Sequence, residues 1–408
     1  MKKDTIFTGA DILLPDTAKS GIDFNKWAVI ACDQFTSDIS YWNKTEEIIS
    51  GAPSTYDYIL PEAYLGTPRE AEKRDSFSKA MTKVSDADIF KSVVGYVYIK
   101  RTLSDGKIRR GILGKLDLEE YDFSKVSRSN IRATEETVPD RIPPRSQLRQ
   151  QASIELPHAM VFTDDVTGLF VKLESLAEKC EVIYDFDLMQ GGGHITGYAI
   201  EGEAAKAVAE YIAENEAACN LPYAVGDGNH SLAAAKHLYE KTKAALGNDA
   251  ADHPARYALC EIISIYDEAV EFEPIHRILK NVDVTDVINS ISKIASIEDG
   301  DQRTRVITSN SESVYSFLKT SHDMTVGTLQ NFIDAYVSEH PGAVCDYIHG
   351  EEELRALVEE SSVAFMFDGF DKSMLFSYIK NGPMPRKTFS MGDARSKRYY
   401  LEARRIIK

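Results

Sequence analysis

The chain has 408 residues, with 47 Lys+Arg against 64 Asp+Glu and a formal net charge of −17. Hydrophobic residues make up 43% and charged residues 27%, a balance that excludes collagen-like, low-complexity and disordered chains. The acidic surplus argues against DNA, RNA or anionic membrane as a general partner, because those surfaces reward a basic face; a small anion needs only one local basic pocket.

The length exceeds what a single hydrophobic core usually supports. Two regions are expected: a core domain with insertions over residues 1–281, and a C-terminal α/β domain over 282–408 whose last loop returns to the site. Lys2 and Lys3 are followed by no apolar stretch of signal-peptide length, and no run approaches the roughly 18 apolar residues of a membrane span. Cys32, Cys180, Cys219, Cys260 and Cys345 are an odd number, widely spaced, without a CxxC pair. Reduced thiols in a cytoplasmic protein are the expectation.

In chain order, strand-like runs rich in Val, Ile, Tyr and Phe fall at 27–32, 93–101, 110–116, 181–186, 194–200, 222–225, 259–265, 362–367 and 374–379. Helical periodicity covers 39–50, 69–84, 203–216, 230–246, 285–294, 328–338, 351–359 and the charged stretch 394–407. Strands and helices mix throughout, so the class is α/β or α+β. Segments 124–152, with Arg128, Arg132, Arg141, Arg145 and Arg149, and 380–392 (KNGPMPRKTFSMG) read as long functional loops.

The common chemical motifs are missing: no GxxxxGK[ST], no HExxH, no GxSxG. Gly191–Gly197 (GGGHITG) puts Thr196 where a dinucleotide loop needs its third glycine, and the ITGYAI that follows alternates like a strand, so a hairpin turn is expected. His230 and His237 lie seven apart on one helix, roughly 10 Å by helix rise, too far to share a zinc.

The most informative stretch is Leu221–Tyr239, LPYAVGDGNHSLAAAKHLY. An apolar strand ends at Val225, Gly226-Asp227-Gly228-Asn229 makes a tight turn, and a helix begins near His230. The glycines permit positive φ and close approach of a ligand to the backbone. The amides of residues 230–232 have no partner within the helix and, with the helix dipole, can seat a phosphate or carboxylate. Asp227 stands at the strand's C-terminal end, where it can hold a metal or accept a hydroxyl proton. The competing view is an ordinary helix cap, for which Asp and Asn are favoured residues. A cap needs one polar side chain, however, and Asp-Gly-Asn-His-Ser concentrates several.

Four stretches together resemble the bacterial and archaeal family called domain of unknown function 1015. They are WAVIACDQFTSDISYW (Trp27–Trp42) with APSTYDYILPEAYL (Ala52–Leu65); IRATEETVPDRIPPR (Ile131–Arg145); AVGDGNHSLAAAK (Ala224–Lys236) with EPIHRIL (Glu273–Leu279); and MPRKTFSMG (Met384–Gly392). The family's usual turn is Asp-Gly-His-His-Arg; here Asn229 replaces the first His and Ser231 the Arg, which leaves His230 and the backbone amides as the main elements. More distantly, the turn resembles the phosphate-binding helix start of the ParB/sulfiredoxin-like superfamily, whose members include nucleotide-hydrolysing partition proteins, sulfiredoxins and kinases of free serine. The resemblance implies a ParB/sulfiredoxin-like core and nucleotide or phosphate chemistry.

Phosphoryl transfer needs cations around the phosphates, a carboxylate and a positioned acceptor. The candidate catalytic residues are Asp227, as base or Mg²⁺ ligand, His230 and Asp33. Strand alternation should expose Asp33 rather than Cys32, the alternative nucleophile. Phosphate or nucleotide contacts are assigned to Gly226, Gly228, Asn229, Ser231, Arg132, Arg277 and Lys387, and substrate contacts to Glu135, Arg145, His276 and Arg386. The leading expectation is a small-molecule kinase or phosphotransferase acting on a hydroxyl such as that of free serine, with ATP, ADP or pyrophosphate as donor. A nucleotide-binding regulatory protein without turnover and a ParB-like nuclease are the rivals; the net charge counts against the nuclease. The chain is expected to act on a small molecule, away from nucleic acid and membrane, with a homo-oligomer left open.

Overall fold

Long strands form where β-branched and aromatic residues alternate between polar turns. In the computed structural model, which describes residues 5–86, 88–124, 126–369 and 371–407, the longest is β1 (Phe90–Thr102). Lys2 and Lys3 lie outside the described residues. A turn closed by Leu103 N–H donating to the Lys107 carbonyl leads into β2 (Ile108–Asp117). Along these two strands Val97, Ile99 and Leu113 join one buried cluster while Tyr96, Tyr98, Ile112 and Leu116 join another on the opposite face. The two-residue period of a strand separates them, and each large side chain so buried contributes about 1.5–3 kcal/mol.

The sheet continues with β3 (Ile131–Ala133), β4 (Met160–Thr163), β5 (Glu181–Asp187), β6 (His194–Glu201), β7 (Tyr223–Asp227) and β8 (Tyr257–Ser264). Its order is β5-β6-β1-β2-β8-β4-β7-β3, with Tyr121–Asp122 beyond β3 and the short strands Phe7–Thr8 and Ala10–Pro15 on β2 and β1. β3 runs parallel to β7, and β4 parallel to β8; β7 runs antiparallel to β4. Helix α1 (Ile142–Gln150) and helix α2 (Asn229–Leu246) pack together through Ile142, Ala233 and Ala234. Helices and mixed-direction strands alternate along the chain, as an α/β–α+β protein should.

The chain forms two units, Met1–Val270 with Asp393–Lys408, and Glu271–Gly392. The boundary falls eleven residues before the expected 281/282, because EPIHRILK (β9, Glu273–Lys280) is an inner strand of the second unit. There β10 (Arg303–Ile307), β11 (Glu312–Phe317), β12 (Val344–His349) and β13 (Ser362–Met366) complete the order β11-β10-β13-β9-β12, with Ala295–Ser296 outside β11. Helix α3 (Thr325–Glu339) buries Leu329, Ile333 and Tyr336 at helical spacing. The loop 380–392 belongs to this unit; the segment that rejoins the first unit begins after it, at Asp393.

Several expected elements differ. The charged C-terminal stretch, expected as a helix, is extended: Tyr399–Tyr400 pairs with Val29–Ile30, and Arg404–Arg405 pairs with Ile154–Glu155. Residues 398–403 are all buried, so contacts on every side override the helix propensity of its Ala, Glu and Arg. Segment 124–152, expected as a loop, holds β3 and α1; its Pro143 and Pro144 sit in the first turn of α1, where no amide is needed. Residues 374–379 form short helical turns rather than a strand, opened by Asp371 accepting the Ser373 N–H. Of 27–32 only Val29–Ile30 is strand, because Asp23 caps a helical turn at Phe24–Trp27. The GGGHITG segment is the expected hairpin turn between β5 and β6. The five cysteines are free thiols, and no helix among the described residues is long and apolar enough to cross a membrane.

Candidate active site

The turn after β7 is built by steric necessity. β7 pairs with β4 through Val225–Val161 and then Asp227–Met160, so Gly226 is a bulge. A Cβ on Gly226 would lie 2.3 Å from the Phe162 ring. Gly228 has φ +79°, and a Cβ there would lie 2.7 Å from His158 Cδ2 and 2.9 Å from Ala159 Cα. Only glycine fits, and the turn is thereby pressed against His158.

The first intrahelical bond of α2 runs from Leu232 N–H to the Gly228 carbonyl at 3.0 Å. The amides that the helix cannot bond internally are therefore those of Asn229, His230 and Ser231, one residue earlier than expected. No side chain caps this helix, so the capping alternative fails. Asp227 Oδ1 accepts its neighbour's Gly228 N–H at 3.0 Å, and Asn229 Oδ1 is buried without a hydrogen-bond partner.

Neighbouring strands deliver further groups to this edge. β3 lies parallel beside β7, with Arg132 opposite Ala224, and Thr134 Oγ1 donates to the Val225 carbonyl at 2.8 Å. The strand ends match, so Glu135 emerges beside the turn. The loop is then tied across the helix start by Val138 N–H donating to His230 Nε2 at 3.2 Å. On the other side β4 is antiparallel, which puts His158 and Ala159, just before it, at the same end.

The C-terminal segment supplies the remaining groups. Ala31 N–H donates to the Arg398 carbonyl at 2.9 Å, next to the Tyr399–Tyr400 pairing. Lys397 Nζ comes within 3.8 Å of Asp227 Oδ2. The Tyr400 hydroxyl lies 2.6 Å from His158 Nδ1, donates to Cys32 Sγ at 3.3 Å and accepts from Cys32 N–H at 3.2 Å. His158 Nε2 is 3.2 Å from Asp33 Oδ2, and Gln34 Nε2 donates to Asp33 Oδ1 at 2.9 Å.

The electrostatics of this chain are directional. Burial pulls the His158 imidazole down, but the Tyr400 oxygen and the Asp33 carboxylate outweigh it and hold the ring well above its ordinary value. Burial pushes Asp33 up, but His158, Gln34 and Lys397 outweigh it and hold the carboxyl well below the usual range. Burial, together with Cys32, raises the Tyr400 phenol well above its ordinary value, so it stays protonated. At neutral pH the cluster is an imidazolium held by a carboxylate, with both ring nitrogens donating. Behind it lies a buried lattice: Arg398 pairs with Glu261 and Glu402, while Arg101 and Arg109 donate to main-chain carbonyls of 395–397. That lattice holds the segment carrying Lys397 and Tyr400.

Among the described residues no three His, Cys, Asp or Glu side chains gather as a metal cage. Mg²⁺ does not require one, since it commonly takes one or two protein oxygens and completes its shell with phosphates and water. Asp227 and the orphaned Asn229 oxygen are hard donors of that kind.

Residues 17–336 match the family model described as a protein of unknown function, DUF1015. The chain belongs to that family. No curated protein sequence matches it. Among solved structures it is distantly similar to a free serine kinase in complex with AMP, at 12% identity and TM-score 0.37, covering 72% of this chain and 90% of that one. SbnI with a C-terminal truncation, from Staphylococcus aureus, gives 10% and 0.37, covering 72% and 87%. A conserved hypothetical protein from Pyrococcus furiosus gives 14% and 0.35, covering 70% and 90%.

Of the residues singled out from sequence, Asp33, Glu135, Gly226, Asp227, Gly228, Asn229, His230 and Ser231 lie on segments that meet at this edge of the first unit. Cys32 and Asp33 sit in a turn, not a strand, so alternation does not separate them; both reach the same Tyr400–His158 cluster. Arg132 Nε donates to the Ser129 carbonyl at 3.0 Å. Arg145 is bound to the Glu62 carboxylate, and Glu62 N–H donates to the Cys32 carbonyl at 2.7 Å, so Arg145 buttresses the Asp33 turn from behind.

His276, Arg277, Arg386 and Lys387 belong to the second unit. Arg277, expected as a phosphate clamp, is fully buried in β9. Its guanidinium stacks 4.5 Å from the Tyr347 ring and donates to Gln330 Oε1 at 2.8 Å and to the Ile275 and Arg386 carbonyls. A guanidinium enclosed this way anchors its own unit. His276 is buried edge-on to Phe367. Arg386 donates to the Tyr347 hydroxyl at 3.0 Å, and Lys387 takes positive φ in the turn closed by Thr388. Sequence reasoning missed His158, Lys397 and Tyr400. The signal for His158 was the short apolar run after it, AMVF, whose last three residues open β4.

Proposed function

We propose that the first unit transfers a phosphoryl group from a nucleotide or pyrophosphate to the hydroxyl of a small molecule such as free serine, on a ParB/sulfiredoxin-like core. The supporting observation is Asp227 facing Lys397 at 3.8 Å beside helix amides that lie outside the ladder, with a charged His158 pressed on the same turn. The amides of Asn229 to Ser231 and Lys397 bind the phosphates, and the His158 imidazolium, its two ring N–H groups held by Tyr400 and Asp33, adds positive charge beside them; together they stabilise the charge that spreads over the phosphates in transfer. Asp33 keeps His158 protonated and fixes its orientation. Asp227 takes the proton of the acceptor hydroxyl as that oxygen bonds to phosphorus; the bond to the leaving oxygen breaks and its electron pair leaves with the donor. Mg²⁺ would be held by Asp227 and Asn229 together with donor phosphates, and when bound it would neutralise phosphate charge.

The test is incubation with ATP, ADP or pyrophosphate and a panel of hydroxy amino acids, with phosphorylated product sought by mass spectrometry. Asp227→Asn should abolish product and keep the ligand-induced rise in melting temperature. Binding without product across the panel favours a nucleotide-binding regulatory protein. No rise in melting temperature with any donor at millimolar concentration removes both readings, because a ligand selective for the native state must stabilise it.

A further inference from the structure

The second unit has a cavity of about 570 Å³ that no step above uses. Its size is that of a small-molecule site. One wall is aromatic: the Phe272 and Phe389 rings lie 4.2 Å apart between centroids, joined by Phe367 and Tyr378. Asp301, Asp323, Asp368 and Asp371 also line it, with no Lys or Arg among the described lining residues. Asp371 is committed to the Ser373 N–H at 2.9 Å. The other three carboxylates carry no ion pair or hydrogen bond among the described residues. They come from three separate segments, before β10, before α3 and after β13, so they are not one local acidic run.

One neutral group points to the same chemistry. Gln302 donates its amide N–H to the His322 carbonyl at 2.8 Å, which leaves its Oε1 buried without a partner. The cavity thus offers acceptors and negative charge against π faces. An occupant that satisfies it donates N–H bonds, carries positive charge and presents apolar surface to the rings. An anionic nucleotide is the wrong sign for it.

We propose that this cavity binds an organic ammonium compound with an apolar body, an amine or polyamine. The site is separate from the anion-binding turn, and its occupancy does not depend on phosphoryl transfer.

The test is calorimetric titration of the full chain with 2-phenylethylamine and with spermidine at about 0.15 M salt, where remote surface attraction is screened. N-acetyl-2-phenylethylamine serves as the neutral comparator. At least one amine should bind with a dissociation constant below about 1 mM, and the acetylated compound should not. Asp323→Asn with Asp368→Asn should weaken binding at least about tenfold, since two exposed charges that attract the ligand are lost while its apolar contacts remain. Asp249→Asn with Asp252→Asn, the same charge change on the first unit, should leave affinity unchanged. The proposal is overturned if neither amine binds below about 1 mM, if the acetylated compound binds as well, or if the cavity and remote variants weaken binding equally.

Discussion

Gly228→Ala is the sharpest probe of the turn, because two separable costs meet there. The backbone at Gly228, φ +79° and ψ +23°, is left-handed, which costs an L-residue roughly 1–2 kcal/mol. The added methyl also meets His158 Cδ2 at 2.7 Å and Ala159 Cα at 2.9 Å. Ala159 Cα is main chain just before β4, its carbonyl held by the Glu261 N–H at 3.2 Å, and cannot retreat cheaply, so overpacking adds about 1–3 kcal/mol. Gly21 isolates the first cost: φ +68° and ψ +14° are nearly the same conformation in the same unit, and nothing lies within 4 Å of its absent Cβ. Urea unfolding should show Gly21→Ala losing about 1–2 kcal/mol and Gly228→Ala about 2–5 kcal/mol. The variant should also lose its thermal response to pyrophosphate, since the methyl drives His158 from Asp33. Equal losses for the two alanines, with the pyrophosphate response intact, would show that His158 does not bear on the turn.

The His158–Asp33 pair should appear in pH dependence. A raised histidine contributes stability that is full below its unfolded value, near about pH 6.5, and lost as pH rises through the folded one; a depressed aspartate contributes above about pH 4 and loses it as pH falls. The stability gap between the wild-type chain and Asp33→Asn should therefore be widest between about pH 4 and 6.5, at about 1–3 kcal/mol, and a flat gap from about pH 4 to 9 would contradict the ion pair. Lys397→Ala should weaken pyrophosphate binding about tenfold or more in a thermal-shift titration while costing about 1 kcal/mol of stability; unchanged affinity would remove Lys397 from the site. Arg398→Met strands Glu261 and Glu402, at 1% and 0% side-chain exposure, and should cost about 3–5 kcal/mol by denaturant unfolding; a loss below about 1 kcal/mol would mean the lattice does not hold the C-terminal segment.

The sequence alone carried the local features. Gly226-Asp227-Gly228-Asn229 specifies a turn of one geometry, and the apolar spacing behind it specifies α2, because backbone sterics and helical period act within a few residues. Family membership was equally legible, since its motifs are short and ordered along the chain. Only the tertiary structure decided what stands opposite the turn. Lys397 and Tyr400 lie some 170 residues beyond it, on a segment whose composition favours a helix and whose burial between Val29–Ile30 and Ile154–Glu155 makes it extended. His158 reaches the site through the antiparallel pairing of β4 with β7, and Arg277 is withdrawn from any phosphate role by rings from other segments of its unit. Local chemistry sets backbone shape, whereas the charges that converge on it are chosen by strand pairing and burial, which no window of sequence contains.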